Sequence, residues 1–150
     1  MKILFYGYGN PSRQDDGLGI KFCESLERWK EKIEDELSFE TNYQLNAEDS
    51  SIIKDFDLIV FVDAIKEQTE PFCLKRILPS DVISFSTHSM TPECVLSLCD
   101  ELYNKKPIAY ILSIKGFEWN FGENLTEEAL NNLNMALEFI KDKLRKNNLM

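Results

Sequence analysis

Apolar residues recur along the chain in two rhythms, short unbroken runs and stripes at helical spacing. Ile3-Leu4-Phe5-Tyr6 is the first run and predicts a buried strand that ends in a glycine-rich turn. Beyond the turn, Leu18, Phe22, Leu26, Trp29 and Ile33 follow at spacings of four, four, three and four, one face of a helix. Leu37 to Tyr43 predicts a second strand and Ala47 to Lys54 a short helix. Leu58-Ile59-Val60-Phe61-Val62 is continuous, β-branched and aromatic, the character of a strand covered on both faces.

Phe72 to Leu78 alternates apolar and polar side chains with no helix between it and the preceding strand, which predicts an antiparallel strand at the sheet edge. Val82 to Ser86 extends that strand or forms a short one of its own. Thr91 followed by Pro92 is a helix start, with Val95, Leu98, Cys99 and Leu102 as its inner face. Ile108 to Ile114 is another continuous strand. The last helix begins at Thr126, sets Glu127 and Glu128 in its positive first turn and buries Leu130, Leu133, Leu137, Ile140 and Leu144. Alternating strands and helices predict an α/β fold, a three-layer α/β/α sandwich whose central sheet is mostly parallel with one antiparallel edge strand. No repeat, low-complexity tract or proline- and glycine-rich linker divides residues 1–150, so a single domain is expected.

Composition narrows the possible partners. The 150 residues are 43% hydrophobic and 29% charged, ordinary for a globular protein and unlike a disordered one. The net charge of -9 and the lack of a basic patch argue against nucleic acid and anionic membranes as partners. The longest apolar runs fall far short of the roughly 20 residues that span a bilayer. No signal-peptide pattern follows Met1-Lys2, so a cytoplasmic protein is expected. Cys23, Cys73, Cys94 and Cys99 have neither CxxC pairing nor zinc-like spacing and read as free thiols on apolar faces.

Chemistry concentrates where strands end. The turn "GYGNPSRQDDGLG", residues 7 to 19, carries adjacent Asp15 and Asp16. Glycines between a strand and a helix commonly grip a phosphate, but two carboxylates would repel one and attract a cation. The turn also lacks the G-x-G-x-x-G spacing of dinucleotide sites, because position 12 is Ser12. Asp63 directly follows Val62, and His88, the chain's one histidine, follows Phe85-Ser86-Thr87. With neighbouring parallel strands, all three loops emerge at the carboxyl edge of the sheet, where α/β proteins bind ligands.

Asp16, Asp63 and His88 would then form a site of two carboxylates and one imidazole, suited to zinc, nickel, cobalt or iron, with room for a fourth ligand. Each residue also has a plainer explanation: Asp15 and Asp16 capping the next helix, Asp63 bonding a neighbouring loop, His88 serving the fold. Seryl catalysis through Ser86 or Ser89 is disfavoured, since no G-x-S-x-G elbow is present.

Three segments together, "GYGNPSRQDDGLG", "VFVDA" at Val60 to Ala64 and "STHSMTPECVLSL" at Ser86 to Leu98, resemble the signature of the hydrogenase maturation endopeptidases. The resemblance covers almost the whole chain. It implies an aspartic-type endopeptidase that removes the C-terminal extension of a nickel-loaded nickel-iron hydrogenase large-subunit precursor. It also implies that Asp16, Asp63 and His88 contact the metal, with nickel recognised inside the substrate rather than kept as a permanent cofactor. Asp16 or Asp63 would be the general base, while Asp15 and Asn10 shape the loop. Where many members carry an Asp-Gly-Gly-Thr-like motif, this chain reads "TNYQLNAED", Thr41 to Asp49. The rival readings are a module that binds a metalloprotein tail without cutting it, and a nucleotide-binding domain.

Overall fold

The computed structural model describes residues 1–30, 33, 35–80 and 90–149. Its strands are β1 (Lys2–Tyr8), β2 (Glu36–Asn42), β3 (Leu58–Ile65), β4 (Phe72–Ile77) and β5 (Ile108–Lys115). Its helices are α1 (Leu18–Trp29), α2 (Asp49–Ile53), α3 (Pro92–Tyr103) and α4 (Glu127–Arg145), with a 3-10 turn at Gln14–Gly17 ahead of α1. The strands form one five-stranded sheet in the order β2-β1-β3-β5-β4. All neighbours are parallel except β4, which runs antiparallel to β5 at the edge. This is the predicted α/β sandwich, including its antiparallel edge strand. The predicted segment from Val82 to Ser86 and the candidate ligand His88 lie outside the described residues.

Alternation along the central strands creates two cores. Ile3 and Phe5 of β1 and Leu58, Val60 and Val62 of β3 pack with α1 and α4 on one face. Leu4, Tyr6, Ile59 and Phe61 pack with α2 and α3 on the other. A strand covered on both faces must be apolar at every position, which is why β3 reads as an unbroken run. Thr91 caps α3 by accepting from Cys94 N at 3.2 Å, with Pro92 at the first helical position. Asn104, in the left-handed region at φ 54°, ends that helix. Thr126 caps α4 by accepting from Ala129 N, also at 3.2 Å.

Three expected core positions differ. Leu130 is exposed because the inner stripe of α4 runs through Ala129, Leu133, Ala136, Leu137, Ile140 and Leu144, and Leu130 lies outside its edge, about 70° around the helix from its centre. Leu102 is exposed because the core beneath α3 ends at Cys99, nearly one turn earlier. Cys73 is exposed as well, since its position alternates outward on the edge strand β4, whereas Cys23, Cys94 and Cys99 are buried. No helix among the described residues is long and apolar enough to cross a membrane.

The connections from β1 to β2 and from β2 to β3 leave on opposite sides of β1, so the strand order reverses between β1 and β3. The crevice beyond their carboxyl ends is the usual ligand position of such sheets. Gly7 and Gly19 let α1 enter this crevice in backbone contact with the sheet. A Cβ at Gly19 would fall onto the carbonyl oxygen of Val62 and lie 2.9 Å from that of Tyr8; one at Gly7 would strike the carbonyl of Gly19.

In an ordinary helix, replacing glycine with alanine stabilises by about 1 kcal/mol. Here the strained backbone contacts outweigh that gain, so Gly19→Ala should destabilise by about 1–3 kcal/mol net. A lower urea midpoint than that of the unaltered protein is the expected result, and a higher one would contradict this close approach.

Candidate active site

The first loop folds back on its own strand. Gly9 has φ 136°, and a side chain there would meet the carbonyl oxygen of Asp16. Asn10 N donates to Asp16 Oδ2 at 2.7 Å, Asp16 N donates to Arg13 O at 3.1 Å, and Asn10 Oδ1 accepts from Ser12 N at 2.9 Å. Gly9 N donates to Asn42 O at 3.1 Å, fixing the loop to the end of β2. These contacts return the Asp16 carboxylate to the carboxyl end of β1. They also engage the Asn10 backbone N–H, a donor that a phosphate-binding loop would turn toward its ligand.

Asp15 has a different task. It is completely buried, and its carboxylate accepts from Phe117 N (2.7 Å), Glu118 N (3.0 Å), Thr126 N (2.8 Å) and Thr126 Oγ1 (2.8 Å). Around it Gln14 N donates to Gly122 O at 2.7 Å, and Gly122 N donates to Ser12 O at 2.9 Å. The two aspartates therefore do not cap α1, whose N-cap is Gly17 with no side-chain cap bond. Asp15 instead joins the first loop to the β5–α4 loop and fixes the start of α4.

Asp63 stands near the end of β3, opposite Ser113 of β5. Because Gly7 pairs with Val62, the next residues along, Tyr8 and Asp63, lie side by side at the ends of β1 and β3. Burial first, and then the charge of Asp16, push the Asp63 carboxyl up from 3.8 to about 7. A hydrogen bond from the Tyr8 hydroxyl and one from the Ala64 backbone N–H act the other way without cancelling the rise. The Tyr8 phenol is itself pushed well above its ordinary value by burial, then by the charge and hydrogen bond of Asp63 and the charge of Glu93. It stays protonated and donates.

Two of the three predicted ligands, Asp16 and Asp63, are thus close enough for one charge to act on the other. Among the described residues there is no cluster of three or more histidine, cysteine, aspartate or glutamate side chains arranged to hold a metal. The donor chemistry of the pair nevertheless fits a cation: two oxygen-donor carboxylates, partly withdrawn from water, repel each other until a proton or a metal ion neutralises them. The sequence reading did not single out Tyr8 or Glu93. Tyr8 stands inside the quoted loop motif, but its pairing with Asp63 depends on the register between β1 and β3.

The five-stranded α/β sandwich has counterparts among solved structures. It resembles the [NiFe] hydrogenase maturation protease HycI from Thermococcus kodakarensis KOD1, at 24% identity over 96% of this chain and 92% of that one, with a TM-score of 0.66. It also resembles the hydrogenase maturating endopeptidase HybD from E. coli, at 20% identity over 98% of this chain and 94% of that one, with a TM-score of 0.71. The [NiFe] hydrogenase maturation protease HybD from Thermococcus kodakarensis aligns at 17% identity over 96% and 99% of the two chains, with a TM-score of 0.68. The chain has the fold of these proteases. No protein-family model matches the sequence, and no curated protein matches it.

Two predictions follow from the different tasks of the acids. Asp15→Asn replaces an acceptor-only carboxylate with an amide whose N–H₂ faces other donors, and should cost about 2–4 kcal/mol. Thermal unfolding should show a midpoint lower by roughly 5–15 °C. For Asp63, the folded value of about 7 lies above the ordinary 3.8, so the folded state binds the proton more tightly than the unfolded state. Its contribution is fully present below pH ~4 and is lost as pH rises through ~7, with an upper bound of about 4 kcal/mol. Urea unfolding from pH 4 to 8 should show stability falling more steeply in the unaltered protein than in Asp63→Asn; parallel curves would contradict the shift.

Proposed function

We propose that this chain is a hydrogenase maturation endopeptidase that removes the C-terminal extension of a nickel-loaded nickel-iron hydrogenase large-subunit precursor. The observation that carries the proposal is the proximity of Asp16 and Asp63 at the switch point of a fold shared with maturation proteases. In this reading Asp16, Asp63 and His88 contact nickel that arrives in the substrate, still held by the substrate's own ligands.

The charge arrangement supplies a physical reason for distinguishing loaded from empty precursor. Without a cation, Asp63 tends to keep a proton near neutral pH because burial and Asp16 disfavour its charge. Nickel in the incoming substrate displaces that proton and gives both carboxylates a common positive partner. An empty precursor brings no such charge, so it meets a pair in which Asp63 still holds its proton.

For hydrolysis, a carboxylate of the pair takes a proton from the attacking water as its oxygen bonds to the scissile carbonyl carbon. The nickel charge favours the carbonyl oxygen as it becomes negative. When the C–N bond breaks, the carboxylic acid returns the proton to the leaving amine, so the enzyme ends as it began. The same carboxylate thereby acts first as base and then as acid.

The test is mass spectrometry of the large-subunit precursor, nickel-loaded or nickel-free, incubated with the unaltered protein or with Asp16→Asn. Release of a short C-terminal peptide is expected only from the loaded precursor, and Asp16→Asn should slow it by roughly 10²–10⁴-fold while remaining folded. Equal cleavage of the empty precursor would refute the metal check. Tight binding of the loaded precursor without peptide release would favour a tail-binding module.

A further inference from the structure

The loop between β5 and α4 places three aromatic residues within five positions, Phe117, Trp119 and Phe121. Phe121 is 80% exposed, more than any other large apolar side chain among the described residues. One exposed ring is ordinary on a protein surface, but the backbone of this one is held on both sides. Asn120 N, just before it, donates to Gln14 Oε1 at 3.2 Å. Gly122, just after it, turns the chain at φ 151° and exchanges backbone hydrogen bonds with the first loop, from Gln14 N to Gly122 O at 2.7 Å and from Gly122 N to Ser12 O at 2.9 Å. Asp15 ties the beginning of the same loop through Phe117 N and Glu118 N.

The Arg13 guanidinium lies over the Phe121 ring, 4.3 Å from its centre. This contact uses one face of the ring and one face of the guanidinium, so the in-plane N–H groups stay available to a carboxylate. Among the described residues Arg13 forms no ion pair, although Glu118 and Glu123 are in the neighbouring loop. Arg13 is also one turn from Asp16, whose backbone N–H donates to Arg13 O at 3.1 Å. The sign of charge therefore changes along the first loop, from positive at Arg13 to negative at Asp16, within a chain of net charge -9. Lys115, 5.5 Å from the centre of the Phe117 ring, adds a second cation where the β5–α4 loop begins.

We propose that Phe121 and Arg13 form a docking ledge for the C-terminal extension of the precursor: an apolar side chain of the extension covers the open face of Phe121, and an acidic side chain beside it pairs with the Arg13 guanidinium. This inference rests on the function proposed above. Charge complementarity selects the occupant. The metal-bearing part of the substrate is drawn to Asp16 and Asp63, whereas a carboxylate is repelled there and favoured beside Arg13. The extension is the chain that continues past the scissile bond, so it can lie along the ledge while the nickel site faces the acids. Aromatic and arginine side chains that become covered in this way commonly carry much of an interface's affinity.

Cleavage of the nickel-loaded precursor at increasing precursor concentrations, followed by mass spectrometry, tests the ledge. Phe121→Ala should raise KM roughly 10–30-fold and Arg13→Gln roughly tenfold, with most of the loss in KM rather than kcat. Phe121→Tyr restores the ring and should recover most of the loss. Converting the acidic residues of the extension to their amides should raise KM for the unaltered protein and leave Arg13→Gln unchanged, because that variant has already lost the pair. Both side chains are exposed, so circular dichroism should show both variants folded. If the unaltered protein cuts the loaded precursor while KM of both variants stays within about twofold of its own, the ledge is overturned and the endopeptidase reading stands. If the unaltered protein leaves the loaded precursor uncut, that reading fails and the ledge with it. If sedimentation shows a dimer that Phe121→Ala dissociates, a second copy of this chain covers the ring and the extension is not its occupant.

Discussion

The active edge of the fold depends on one buried carboxylate. Asp15 accepts four hydrogen bonds from residues more than one hundred positions away in sequence, and every donor belongs to the β5–α4 connection. An anion without a cationic partner is tolerated there because backbone N–H groups and a hydroxyl converge on it at the N-terminus of α4, where the helix dipole is positive. The arrangement fixes the beginning of α4 and the path of the first loop at once. Asp16, next along the chain, has its own position set by the same turn.

Adjacent acids can therefore serve opposite purposes. Asp15 turns both oxygens toward protein donors and is closed to solvent, whereas Asp16 accepts one backbone N–H and presents its charge to Asp63. The former arrangement satisfies a carboxylate; the latter leaves one dissatisfied. The pairing of Asp16 with Asp63 is a local conflict inside an otherwise consistent fold, and such conflicts are where functional constraints show themselves. A protein selected only for stability would gain by replacing Asp63 with a neutral residue of similar shape.

Much of the architecture was legible because it follows periodicity. The α1 stripe, the unbroken β3 run and the Thr91-Pro92 and Thr126 caps all express local rules that a single sequence displays. The misreadings at Leu102 and Leu130 arose where helix phase and the extent of the opposing core decide burial, neither of which is local. The first loop was legible in kind but not in assignment. Asp15 and Asp16 are identical side chains at neighbouring positions, and only the approach of residues 117–126 distinguishes the buried tie from the half-buried charge. Tyr8 was missed for the same reason, since its partner is set by the register of two strands separated by some fifty residues.

The same physics links recognition to chemistry. Withdrawal from water disfavours the anions that bind a cation. Asp63 is partly withdrawn from water and next to a like charge, which together push its carboxyl up to about 7. A carboxyl in that range exchanges protons readily in both directions, as a group that must take one from water and return it to an amine has to do. In the function proposed here, metal reading and proton transfer would both draw on one property, the reluctance of two neighbouring carboxylates to be charged together, so weakening that reluctance would impair both.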